Sequence, residues 1–150
     1  MVKALVVYHS VYGNTEKVAK ALSEGLQSAG CDVETARVDA VDYDKLNDVD
    51  LLCVGTPVHA WNISKPAKEF LARLETQQGM SGKKAFAFDT KLKSRMAGTA
   101  GGKIQKKLEK LGFEIAESAQ SAVVKGREGP LEEGAEERFK QIGADLAKKI

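Results

Sequence analysis

A short apolar strand pattern followed by an amphipathic helix pattern recurs along this chain, an alternation of five strand and helix pairs that leaves few folds open. Residues 3–9 read as the first strand, and the Val18, Leu22, Leu26 stripe marks a helix over residues 16–29 that Gly30 closes. Residues 31–38 alternate apolar and polar, as a strand near a sheet edge does, whereas residues 49–55 read as a buried apolar strand. Pro66 suits the first turn of a helix with Ala67, Phe70, Leu71 and Leu74 inward. Residues 84–88 form the fourth strand, and a glycine-rich start leads into the helix of Ile104, Leu108 and Leu111, stopped by Gly112. Residues 113–124 supply a fifth strand interrupted by polar residues, and residues 131–150 the last helix, with Phe139, Ile142 and Leu146 inward. The pattern predicts one α/β domain over residues 1–150, a doubly wound sandwich whose five-stranded parallel sheet carries helices on both faces.

In such a sheet the ligand crevice lies at the carboxyl ends of the strands, where the winding direction reverses. With strand order 2-1-3-4-5 that point falls between the first and third strands. The loop after the first strand is Ser10, Val11, Tyr12, Gly13, Asn14 and Thr15. Three hydroxyls, an amide and the N–H groups of a helix start are what a phosphate site needs. No lysine or arginine sits in that turn, which implies a phosphate held mainly by neutral donors, as suits a bound ligand rather than a transferred group. The loop after the third strand, Thr56, Pro57, Val58, His59, Ala60, Trp61, puts the single tryptophan of the chain where a flat aromatic ligand would cover it.

Here the residues resemble a known family. Ser-Val-Tyr-Gly-Asn-Thr at residues 10–15 is similar to the phosphate loop of flavodoxins, and Gly-Thr-Pro at residues 55–57 to the start of that family's second flavin loop. The resemblance covers essentially the whole chain and implies the flavodoxin-like order 2-1-3-4-5, the arrangement for which flavodoxin itself is the standard example. It implies FMN as cofactor. Ser10, Val11, Tyr12, Gly13, Asn14 and Thr15 would then surround the phosphate, Thr56 and Pro57 would follow the ribityl chain, and Val58, His59, Ala60 and Trp61 would lie by the ring, with Trp61 flanking it. Asp89, Thr90 and Lys91 correspond to the third flavin loop. The function implied is a cytoplasmic electron carrier serving redox partner proteins, a monomer or weak homodimer, with no catalytic residue and no metal of its own.

Two departures from the family's usual pattern bear on that function. The third loop, residues 90–96, is basic and lacks an aromatic. At an effective dielectric of about 20, one positive charge ~8 Å from the ring would favour the anionic reduced cofactor by ~2 kcal/mol before screening. That raises the lower couple by tens of millivolts. The second loop also has no glycine at residues 58–61, where a peptide flip would stabilise the one-electron state, so that stabilisation is expected to be weak. Paired electron transfer follows, and with it an alternative as an FMN-dependent NAD(P)H or quinone oxidoreductase.

Other classes fit less well. A net charge of +2 with interspersed signs gives nucleic-acid binding little support. The apolar run after Lys3 is too short for a signal peptide or membrane anchor, which leads to a cytoplasmic expectation. Cys31 and Cys53 have no metal-ligand spacing and read as buried, reduced thiols. A receiver domain would need acids where His9, Ser10, Gly55 and Thr56 stand, and residues 98–104 lack the P-loop spacing. A flavodoxin-fold interaction module that has lost flavin binding is the remaining alternative. His9 reads as structural, and Tyr8 and Tyr43 as packing residues.

Overall fold

The computed structural model describes residues 1–59, 62–93 and 100–150, with His59 described by its backbone alone. The β-branched run at Lys3–Tyr8 forms β1, and Asn14–Ser28 forms α1. They are followed by β2 (Asp32–Arg37), β3 (Leu51–His59), β4 (Asn62–Ile63) and α2 (Lys65–Glu75). The remainder is β5 (Lys84–Leu92), α3 (Ala100–Lys110), β6 (Glu114–Ile115), β7 (Gln120–Val124) and α4 (Ala135–Ala147).

The sheet runs β2-β1-β3-β5-β6, with β7 also on β5 and the two-residue β4 antiparallel to β3. This is the expected doubly wound order. Helices α1 and α4 cover one face, where Val18, Leu22, Leu26, Phe139 and Leu146 pack on Val6, Cys53, Phe86 and Phe88. Helices α2 and α3 cover the other, where Phe70, Leu74, Ile104 and Leu108 meet Val7, Leu52, Val54 and Ala87. Alternate strand residues thus serve opposite cores, and the central strands are apolar on both faces for that reason. Helices α1 and α4 touch through glycine: a Cβ on Gly25 would stand 1.9 Å from the Lys140 carbonyl oxygen, and one on Gly143 2.3 Å from that of Leu22.

Several expected elements differ. The expected fifth strand is two, because four residues, 116–119, stand where β5 spends two, 86 and 87. The extra length leaves the ladder, and the Ala119 N–H donates to Gln105 Oε1 at 2.7 Å instead. The last helix starts at Ala135, not at 131, since Leu131 folds back to bridge Val124 and Gly134 at φ 83° turns the chain into the helix. Among the described residues there are four α-helices. The crossover from β2 to β3 carries only a 3-10 turn, Tyr43–Asp48, capped by Asp42. Helix α1 begins two residues earlier than expected, and Cys31 is partly exposed where burial was expected, while Cys53 is buried.

Strands β3 and β5 outrun β1. Tyr8 ends β1 opposite Gly55, while β3 continues to His59 and β5 to Leu92, held in register by Pro57 opposite Thr90. This overrun leaves a step at the carboxyl edge of the sheet, and the β1–α1 turn lies in it.

Candidate functional site

The turn between β1 and α1 is shaped by Gly13, which takes φ 90° at the helix N-cap, a conformation a side chain resists. Its N–H donates to Ser10 Oγ at 3.0 Å, and the first helical bond runs from Lys17 N–H to the Gly13 carbonyl at 3.1 Å. The N–H groups of Asn14, Thr15 and Glu16 therefore have no acceptor among the described residues. Among the described residues no side chain caps this end either. Open N–H groups and the helix dipole together make a cradle for an anion.

Around the turn lies a cleft of about 260 Å³. Ser10, Val11, Tyr12, Asn14 and Thr15 form one wall, and Pro57, Val58, Thr90, Lys91 and Leu92 the opposite one. Arg127 and Val124, from the C-terminal side of β7, close the rest. Val11, Tyr12 and Leu92 are exposed apolar side chains, and all three stand at this cleft. The walls thus combine anion donors at one end with apolar surface beyond them. That donor set fits a ligand with a phosphate tail and a flat ring.

A second cavity, about 320 Å³, lies at the opposite end of the sheet beside Lys3 and Val49. Its wall carries the carboxylates Asp32, Glu34, Asp42 and Asp48, which repel a phosphate. That cavity is the larger of these two; charge and the topological switch point favour the first.

Several expected site residues turn inward to hold the loops. Thr15 is buried, and its Oγ1 lies 2.8 Å from Thr90 Oγ1, joining the first loop to the third. Asn14 Nδ2 donates to the Glu128 carbonyl at 3.1 Å. Thr56 is fully buried with Oγ1 2.9 Å from Ser64 Oγ, and His9 Nδ1 lies 2.8 Å from that same Ser64 oxygen. Ser64 also caps α2, accepting from the Ala67 N–H at 3.4 Å. His9 thus has the structural role expected of it, tying the first loop to the second.

Asp89 lies under the cleft, 1% exposed, with Oδ2 accepting the Gly101 N–H at 2.8 Å. Its Oδ1 has no hydrogen-bond partner among the described residues. Burial pushes its carboxyl up, and the Ser121 side chain, the Gly101 N–H and the Lys91 charge partly oppose that. A Cβ on Gly101 would stand 3.1 Å from Asp89 Oδ2, so the glycine at the start of α3 serves close approach to the sheet. Lys91 lines the cleft and Lys93 is exposed, whereas the rest of the basic loop from Ser94 lies outside the described residues. Ala60 and Trp61 lie outside them too, as does the His59 side chain.

Sequence reasoning missed two residues here. Tyr8, read as a packing residue, donates its hydroxyl to Glu16 Oε2 at 2.6 Å, linking the end of β1 to the first turn of α1. Burial, then that bond, pushes its phenol up to about 12, while the bond from Tyr8 holds the Glu16 carboxyl below its usual range. Arg127 was missed because it arrives from a distant loop; its neighbour Glu128 and Asn14 are 114 residues apart in sequence.

The described residues hold no cluster able to ligate a metal ion, and no described helix is long and apolar enough to cross a membrane. Comparison with known proteins agrees with the geometry. The Flavodoxin family model matches residues 6–142. A flavodoxin of Clostridium saccharobutylicum is 35% identical over 89 residues, 59% of this chain and 55% of that protein. An NAD(P)H dehydrogenase (quinone) of Brucella anthropi is 33% identical over 91 residues, 47% of this chain and 46% of that protein. The chain thus spans about half the length of these two relatives. Among solved structures, a flavodoxin from the domain Archaea superposes with TM-score 0.85 at 26% identity, covering 99% of this chain and 98% of that one. With a family match across nearly its whole length and the switch-point cleft that the fold provides, the chain belongs to the flavodoxin family.

Proposed function

We propose that this chain binds FMN in the cleft at the carboxyl ends of β1, β3 and β5 and carries electrons between redox partner proteins. Flavodoxin-family proteins bind FMN. The observation that carries the reading for this chain is the cradle at the start of α1, where three N–H groups have no acceptor among the described residues and Ser10, Asn14 and Thr15 line the cleft. Bound there, FMN supplies the redox chemistry, and the protein supplies position and electrostatics. The N–H groups of Asn14, Thr15 and Glu16 hold the phosphate. Pro57 and Val58 flank the ribityl chain with their backbone, since the Thr56 hydroxyl is engaged with Ser64. Val58 and Leu92 would give the ring an apolar seat, and Lys91 would set positive charge beside it. The buried pairs of Thr15 with Thr90 and Thr56 with Ser64 fix the spacing of the three loops.

A second reading, an FMN-dependent oxidoreductase acting on NAD(P)H or a quinone, is favoured by the name of the Brucella relative and by the lack of glycine at residues 58–61. Loss of flavin binding, leaving an interaction module, is the reading the cradle speaks against. Titration of flavin-stripped protein with FMN and with riboflavin, read by flavin and Trp61 fluorescence, tests the proposal. FMN is expected to bind at least roughly 100-fold more tightly than riboflavin, the worth of about two charge-assisted hydrogen bonds at the lower end of their range. Binding of neither flavin refutes it.

A further inference from the structure

We propose that Arg127 is a phosphate-binding residue, the cationic partner of the FMN phosphate in a cleft whose β1–α1 turn has no cation of its own. The inference rests on the reading that the cleft takes FMN. Arg127 occupies the second position of a tight turn over residues 126–129, closed by the Gly129 N–H donating to the Gly126 carbonyl at 3.0 Å. A second bond, Lys125 N–H to the Pro130 carbonyl at 2.8 Å, ties the base of that turn. The whole loop leans on the start of α1. Asn14 Nδ2 donates to the Glu128 carbonyl at 3.1 Å, and Gly129 sits so close to Asn14 that a Cβ would lie 2.8 Å from its Oδ1.

The residue beside Glu128 is thereby brought to the first turn of α1, and Arg127 lines the same cleft as Ser10, Asn14 and Thr15. Among the described residues no acid lies within ion-pair distance of its guanidinium. An arginine with no acidic partner among the described residues, lining the same cleft as the first turn of α1, calls for an anion that both can share, and the planar fork of arginine suits phosphate oxygens. The Asn14 amide then acts as a positioning group. It spends its N–H on the loop that carries the cation.

The test is the same flavin titration on the full chain for wild type, Arg127→Ala and Arg127→Lys, at pH 5 and pH 7.5. Arg127→Ala is expected to weaken FMN about tenfold, the lower end for a charge-assisted bond at an exposed site, and to change riboflavin less than about twofold. Arg127→Lys should recover part of the loss. Wild-type affinity for FMN should rise from pH 5 to pH 7.5 as the phosphate passes its second pKa of about 6, and that rise should flatten in Arg127→Ala. Unchanged FMN affinity in the alanine variant overturns the inference and leaves the FMN reading standing. Equal weakening of FMN and riboflavin also overturns it, since Arg127 would then act on the ring or on the fold. Wild type that binds neither flavin removes both.

Discussion

The Tyr8 hydroxyl joins the two ends of the phosphate turn, and Tyr8→Phe removes that one atom without changing the core around the ring. Tyr8 is 6% exposed and its Oη lies 2.6 Å from Glu16 Oε2, so the bond is short and made to a charged acceptor. Bonds of that kind are worth about 1.5–3 kcal/mol. The Glu16 side chain is 36% exposed and water can replace the lost donor, which puts the expected loss at the lower end, about 1.5 kcal/mol. At this chain length that lowers Tm by roughly 3–6 °C. The pH dependence identifies the cause. Glu16 has its pKa lowered below 4.5, so its contribution is present above that value and is lost as pH falls through the depressed one. Tyr8 has its pKa raised from 10.0 to about 12, so its contribution is present below 10.0 and is lost as pH rises through about 12. Urea denaturation of both proteins between pH 3 and pH 11 should show the largest gap across the neutral range, narrowing at both ends. A gap that is absent at pH 7, or constant across the series, refutes the reasoning.

Gly25→Ala should cost about 2 kcal/mol in urea denaturation, the upper end of an overpacking penalty less the helix propensity alanine gains, because its Cβ would lie 1.9 Å from a backbone oxygen that α4 cannot move without separating from α1; no loss, or a gain, would contradict the close helix contact. Asp89 has its pKa raised, so its contribution is present below 3.8 and is lost as pH rises through the folded value. Asp89→Asn keeps an acceptor for the Gly101 N–H and drops the buried charge. The variant should equal or exceed wild type in stability at pH 8 and lose that advantage by pH 4; a less stable variant at pH 8 contradicts the burial argument.

Much of this fold was legible in the sequence because its signals are local. The Val18, Leu22, Leu26 stripe of α1 and the Pro66 start of α2 fall where periodicity and end signals put them, whereas β3, expected over residues 49–55, runs Leu51–His59, and β5, expected over 84–88, runs on to Leu92, because each pairs with the other beyond the end of β1. The split between β6 and β7 was not legible. A four-residue excursion leaves the ladder only because Gln105, on a different element, supplies the missing acceptor. The start of α4 was misread for a related reason: Leu131 looks like the first turn of an amphipathic helix but bridges back to Val124.

The same distinction holds at the cleft. Ser10, Gly13 and the helix start are contiguous, and their pattern signals a phosphate loop. The roles of Thr15, Asn14 and Thr56 depend on partners that sequence order does not reveal, and these side chains, read as ligand contacts, also tie the loops together. Tyr8 was read by its apolar body, which is in the core, and not by its hydroxyl, which emerges at the end of β1. Neutral donors were expected to carry most of the hold on the phosphate because no cation lies in the turn, yet Lys91 and Arg127 reach the cleft from β5 and from the loop after β7.

The account depends on where FMN binds, and amide chemical shifts of the nitrogen-15-labelled apoprotein during an FMN titration report that directly. The predicted result is a set of large shifts at Ser10, Asn14, Thr15 and Glu16, with others at Val58, Thr90, Lys91 and Arg127. Shifts gathered instead at Asp32, Asp42 and Lys45, around the acidic cavity at the other end of the sheet, with the β1–α1 turn unmoved, would contradict it.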